Sequence, residues 1–184
     1  MCRLAWLVLL SLGGATSARG EPSRWFGSAS IGLQHTDVAT GGGAHKASGE
    51  RFALAARFAP HPVVSLVALA AVSLYHDNHV HDPVTQGRYA IDVTDYWLGG
   101  RVLLYPAPRL WVGAGLSAVA EREGTSLSNK RDWLFARAPE LIAGGQILRT
   151  RAIGVQLEAT WGRYDRFYGL EHIELWTLGA GVEY

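Results

Sequence analysis

Cysteine is almost absent from this 184-residue chain: the one copy is Cys2. It stands before the first apolar run, so it is not placed as the lipidated cysteine of a lipoprotein. A chain cut after that run carries no thiol, hence no disulfide and no thiolate chemistry. Lysine is nearly as scarce, with Lys46 and Lys130 alone. Neither sign of charge dominates, at 17 basic against 16 acidic residues. With no basic stripe, nucleic acid is excluded as a partner. Long apolar runs are missing too. The longest after the N-terminus, Val63 to Tyr75, is interrupted by Ser65 and Ser73, and a membrane helix needs about 18 uninterrupted residues.

What is present begins with a leader. Arg3 supplies a positive start, Leu4 to Leu12 (LAWLVLLSL) a short apolar core, and Ala15 to Ala18 small residues for cleavage. That pattern predicts a secretory signal peptide over residues 1–18, too short to span as a helix. Residues 19–184 then form a single domain of ordinary size, with no visible linker or low-complexity tract.

The mature region is rich in Gly, Trp and Tyr and alternates with a period of two. The final segment, ELWTLGAGVEY, puts Trp176, Leu178, Ala180, Val182 and Tyr184 on one face and Thr177, Gly179, Gly181 and Glu183 on the other. One wholly apolar face at this period marks a strand. Eight such segments are predicted: 24–35, 50–59, 63–75, 89–105, 109–122, 132–148, 151–164 and 171–184. The sixth is the least regular, because Pro139 cannot donate to a ladder and predicts a bulge or weak pairing. The third is apolar on both faces. Tight connections (Pro60-His61-Pro62, Pro106-Ala107-Pro108, Arg149-Thr150) alternate with longer polar ones (36–49, 76–88, 123–131, 165–170). Short periplasmic turns opposite longer outer loops are the pattern of outer-membrane barrels, and a closed barrel is the strand-built way to satisfy every backbone group in lipid.

Alternation alone does not say which face is inside. A soluble barrel would turn its polar face to water and dress it with Lys and Glu. Here that face carries mostly Gly, Ser, Thr and Gln, which suits a narrow lumen, so the apolar face is read as outward. Trp25, Phe58 and Tyr184 then mark a lower aromatic rim, and Phe52, Tyr96, Trp161 and Trp176 an upper one, as rings settle at the headgroup level. Arg57, Arg101, Glu140 and Glu158 point into the lumen, where pairing offsets the cost of burial. Eight strands leave just enough interior for side chains, so these four are expected to form a plug rather than a pore.

With its strand count, loop alternation, charged lumen and ending Gly179-Ala180-Gly181-Val182-Glu183-Tyr184, the chain resembles the small eight-stranded outer-membrane barrels of the OmpA transmembrane-domain and OmpX type. The resemblance covers nearly all of the mature chain but includes no local motif diagnostic of a subfamily. It implies the outer membrane of a Gram-negative-type bacterium, contact with outer-membrane lipid and lipopolysaccharide, and a structural, adhesive or surface-defence role carried by the loops. It also implies that Trp176, Leu178, Ala180, Val182 and Tyr184 are read by the barrel-assembly machinery as an assembly signal. The peptidoglycan-binding domain that follows the barrel in the OmpA type has no counterpart up to Tyr184.

Two alternatives compete. Lipid A-modifying barrels of the deacylase type use a His-x-Ser pair with a carboxylate to orient the histidine. No His-x-Ser occurs here, and His172-Ile173-Glu174 brings a histidine and a carboxylate to one face without a serine. The tract His76-Asp77-Asn78-His79-Val80-His81-Asp82 offers His76, His79 and His81 as ligands for Zn²⁺ or Cu²⁺; it also reads simply as a solvated polar loop. The expectation is a monomeric, non-catalytic outer-membrane barrel without cofactor.

Overall fold

The computed structural model describes residues 25–40, 43–81, 88–125, 128–150, 152–166 and 171–184. They form eight strands: β1 Trp25–Thr40, β2 Gly43–His61, β3 Val64–His81, β4 Arg88–Ala107, β5 Leu110–Thr125, β6 Ser128–Arg149, β7 Gly154–Arg166 and β8 Glu171–Glu183. Each pairs antiparallel with its neighbours in sequence. β1 then closes the barrel on β8, from Ser28↔Glu183 to Thr40↔Glu171. Closure leaves no edge strand, so no row of backbone donors and acceptors is left unpaired along the sheet. No helix among the described residues is long and apolar enough to cross a membrane.

Most strands run further than the alternation predicted, chiefly at one end. β1 and β2 stay paired to Thr40↔Gly43, and β3 and β4 to His81↔Arg88. The residues read as outer loops are largely hairpin extensions, because antiparallel partners keep forming ladder bonds beyond the apolar band whatever their polarity. Lys46, expected in a loop, lies on β2 opposite Asp37, with their charged groups 3.6 Å apart. Lys130 likewise falls on β6. The tight turns sit at the other end, within three residues of their predicted places. Arg109 N donates to Ala107 O at 2.8 Å, and Thr150 Oγ1 accepts from Ile153 N at 3.0 Å.

Pro139 makes no bulge towards β5, where it pairs in register with Leu116. Its effect falls on the other side. The described β6–β7 ladder ends at Glu140↔Gly162, one residue short of the proline. A residue without an N–H ends a ladder where that N–H is needed.

The apolar face points outward. Leu33, Leu98, Phe135 and Leu178 are 72, 69, 78 and 65% exposed. A continuous apolar exterior of this kind is tolerated in lipid and not in water. Outward aromatics gather at both ends of the band. Trp25 stacks with Phe58 at 4.8 Å near the turns; Trp161 meets Trp176 at 6.1 Å and Tyr96 meets Trp133 at 5.8 Å nearer the hairpins. Trp133 and Phe135 belong to the upper group although the irregular pattern of β6 hid them.

Inside, apolar and polar layers alternate. One apolar cluster joins Ala71, Trp97, Val119, Ala138, Tyr164, Ile173 and Leu175; the other joins Val67, Leu103, Trp111 and Ile142. This explains why β3 is apolar on both faces: Val67, Leu69 and Ala71 pack inward while Leu66, Ala68 and Ala70 face out.

Candidate functional site: a charged plug in the lumen

The inward charges come from strands far apart in sequence, and the barrel's closure brings them together. β4 supplies Arg101, β6 Glu140, β7 Glu158 and β2 Arg51. Arg101 is the hub. Its Nε and Nη2 donate to Glu140 Oε2 at 3.0 and 2.9 Å, and its Nη1 donates to Glu158 Oε1 at 2.7 Å. Arg51 Nη2 reaches the other Glu140 oxygen at 3.2 Å. Two cations face two carboxylates, so the group is neutral as a whole. Arg51, Arg101 and Glu140 are 4, 8 and 2% exposed. Charges this deep persist only when paired and hydrogen-bonded. Trp111 Nε1 adds a donor to Glu158 at 3.4 Å, and the Arg51 guanidinium lies 4.5 Å from the Trp97 ring centroid.

Of the four charges predicted to form this plug, Arg101, Glu140 and Glu158 meet, and Arg57 does not. Arg57 sits nearer the turns, where it pairs with Glu183 at 2.5 Å and donates to Tyr105 Oη at 2.7 Å. The reason is reach. Arg57 lies six residues from Arg51 along an extended strand, about 20 Å at the usual rise, so one side chain cannot serve both levels. Arg51 takes the place first given to Arg57. It has the inward parity of Ala53, Ala55 and Arg57, so the signal was there to be used.

A third polar layer, not anticipated from sequence, lies towards the hairpins. Tyr75 Oη donates to Asp95 at 2.8 Å, Ser73 Oγ to Gln34 Oε1 at 2.9 Å, and Gln34 Nε2 bonds the Tyr75 hydroxyl. Strand register places these β1, β3 and β4 side chains at one height, through Gln34↔Gly49, Gly49↔Tyr75 and Ser73↔Asp95.

Little open space remains at the height of the plug; the lumen widens below it, towards the tight turns, in a cavity lined by Phe26, Tyr105, Gln146 and Glu183. The cavity bordered by Arg51, Arg57, Arg101, Glu158 and Glu183 measures about 60 Å³, room for one or two waters at liquid density. Glycines make the crowding possible. A Cβ at Gly144 would stand 2.5 Å from the Trp111 indole, and one at Gly115 would stand 2.7 Å from Cγ of Arg101.

The other candidates separate. His172 and Glu174 share an outward face as expected but take different partners: His172 Nδ1 contacts Asp165 at 2.6 Å, and Glu174 accepts from Trp161 Nε1 at 2.6 Å. His76, His79 and His81 lie on the β3 backbone rather than in a loop, with a register shift between Tyr75 and Asn78. Their side chains fall outside the described residues, as does the proposed leader, 1–18. Among the described residues, no three His, Cys, Asp or Glu side chains are grouped to hold a metal ion. At the closing strand, Tyr184 and Gly27 exchange two backbone hydrogen bonds at 3.0 Å, and Trp176, Leu178, Ala180, Val182 and Tyr184 all face out.

No protein-family model matches the chain, and no curated protein matches it. Its likeness is to solved structures. Neisserial surface protein A superposes with a TM-score of 0.62 at 12% identity, over 88% of this chain and 96% of that one. Ail, the attachment invasion locus protein of Yersinia pestis, gives 0.57 at 16%, over 88% and 100%. The outer membrane protein AlkL gives 0.52 at 13%, over 92% and 93%. The chain thus has the fold of the small eight-stranded outer-membrane barrels.

Proposed function

We propose that this protein is a monomeric, non-catalytic barrel of the outer membrane of a Gram-negative-type bacterium, acting through its extracellular hairpins rather than through its lumen. The observation that carries this reading is the Arg51–Glu140–Arg101–Glu158 network, which crosses the lumen and leaves beside it a cavity of only about 60 Å³. A path for solutes needs a continuous water column, and this interior interrupts it with ion pairs and two apolar layers. The outward Leu, Ile, Val and Phe side chains support insertion in lipid, and the leader-like residues 1–18 support export. Ail is an attachment and invasion protein by name, which supports a surface-interaction role for hairpins of the same architecture.

The test is conductance. The purified protein, reconstituted in a planar bilayer, is expected to give no stable channels. Large persistent conductance would show an open lumen and remove the basis for the proposal.

A further inference from the structure

The lipid-facing surface carries a trough that the plugged lumen does not account for. In successive rungs across β4, β5 and β6, Tyr96 pairs with Ala120, which pairs with Phe135, and Leu98 pairs with Ala118, which pairs with Arg137. Each rung reads large, alanine, large. The two alanines floor a groove along β5, walled by Tyr96 and Leu98 on one side and by Phe135 and Arg137 on the other. In the next rung towards the hairpins, Arg122 stands beside Trp133, its guanidinium 5.9 Å from the ring centroid. Arg122 Nε is buried without a hydrogen-bond partner, and neither Arg122 nor the exposed Arg137 forms an ion pair with any described residue.

Arginines facing lipid are expensive and mark functional positions unless they reach headgroups or meet an anion. Arg122 stands in the rung of Trp133, whose pair with Tyr96 marks the level at which aromatic rings meet headgroups, and Arg137 lies two rungs nearer the turns, on the wall of the trough. The forked guanidinium donors suit phosphate. An apolar trough beside two guanidinium groups that pair with no described carboxylate matches an amphiphile with acyl chains and a phosphate. Since the hairpin end faces outward in the reading above, on which this inference rests, that amphiphile belongs to the outer leaflet.

We propose that this trough seats one phosphorylated, multiply acylated glycolipid, the lipid A part of lipopolysaccharide. An acyl chain lies along Ala118 and Ala120, and the phosphorylated headgroup is held by Arg122 at the upper end of the trough, with Arg137 on its wall adding a second cation.

The experiment is native mass spectrometry of the full barrel, released from detergent and titrated with bis-phosphorylated lipid A. One lipid should bind with preference. The double variant Arg122→Gln/Arg137→Gln should bind about tenfold more weakly or worse, the loss expected for charge-assisted hydrogen bonds. Ala118→Leu/Ala120→Leu, which fills the trough but keeps both charges, should weaken binding similarly. Arg109→Gln/Arg149→Gln, the same charge change at the opposite rim, should not. Heat-modifiable gel migration establishes that each variant is folded. Equal affinity in the arginine double variant, or for lipid A stripped of phosphate, would overturn the proposal. So would equal competition by phosphatidylglycerol, which would make the seat one for any anionic lipid. A spin label at Ala118 separates the two failures. If lipid-soluble oxygen reaches it but the arginines do not matter, the seat is wrong; if oxygen does not reach it, the membrane reading itself is wrong.

Discussion

At the scale of single residues, alternation makes neighbours live in different solvents. Leu157 faces out, and Glu158 faces the lumen and holds Arg101 at 2.7 Å. Leu157→Arg should therefore cost about 2–4 kcal/mol if it lies near mid-membrane, measured by urea unfolding in lipid vesicles. Arg101→Met should cost about 3–5 kcal/mol, because it leaves Glu140 and Glu158 against Arg51 alone. Adding Glu158→Gln restores one cation to one carboxylate. The double variant should recover part of the loss, with a coupling of about 0.5–3 kcal/mol. Strict additivity would show that the two side chains do not interact. The parity that places these residues inside was legible in the sequence. Their pairing was not, since Arg51 and Glu140 are 89 positions apart and nothing local couples them.

At the scale of the element, two strands bear on prediction. β8 is followed directly by Tyr184, whose ring lies so close to Gly27 that a Cβ there would stand 2.8 Å from it. That ring and the two backbone bonds to Gly27 fasten the last seam of the barrel. Tyr184→Asp should leave exported but unassembled protein in the periplasm, seen as loss of the heat-modifiable band from outer membranes. A normal band would remove Tyr184 from any assembly role. On β3, calorimetry near neutral pH should find no micromolar Zn²⁺ or Cu²⁺ site; tight binding abolished by replacing His76, His79 and His81 with alanine would reverse that expectation. Element boundaries were the least legible feature. Periodicity reports where an apolar face ends, whereas ladder bonds decide where the strand ends, and here β1 to β4 continue through polar residues. Pro139 was legible as a disturbance, but which of its two neighbours loses the ladder depends on which way the missing N–H points.

At the scale of the whole molecule, the prediction concerns inside and outside. Spin labels at positions 157 and 158 should differ in exposure to lipid-soluble oxygen, with 157 relaxed and 158 shielded; the reverse would describe a soluble barrel. The sequence by itself determined the strand period, the number of strands, the tight-turn end and the two faces, because each depends on residues one or two positions apart. Tertiary structure alone decided which charges meet. Arg51 rather than Arg57 joins Arg101, Glu140 and Glu158 because closure and strand register set the height of every inward side chain. Height is a property of the closed barrel that no strand carries by itself. The trough over Ala118 and Ala120 has the same origin: three unremarkable outward faces become a groove only when register aligns large, small and large side chains across β4, β5 and β6.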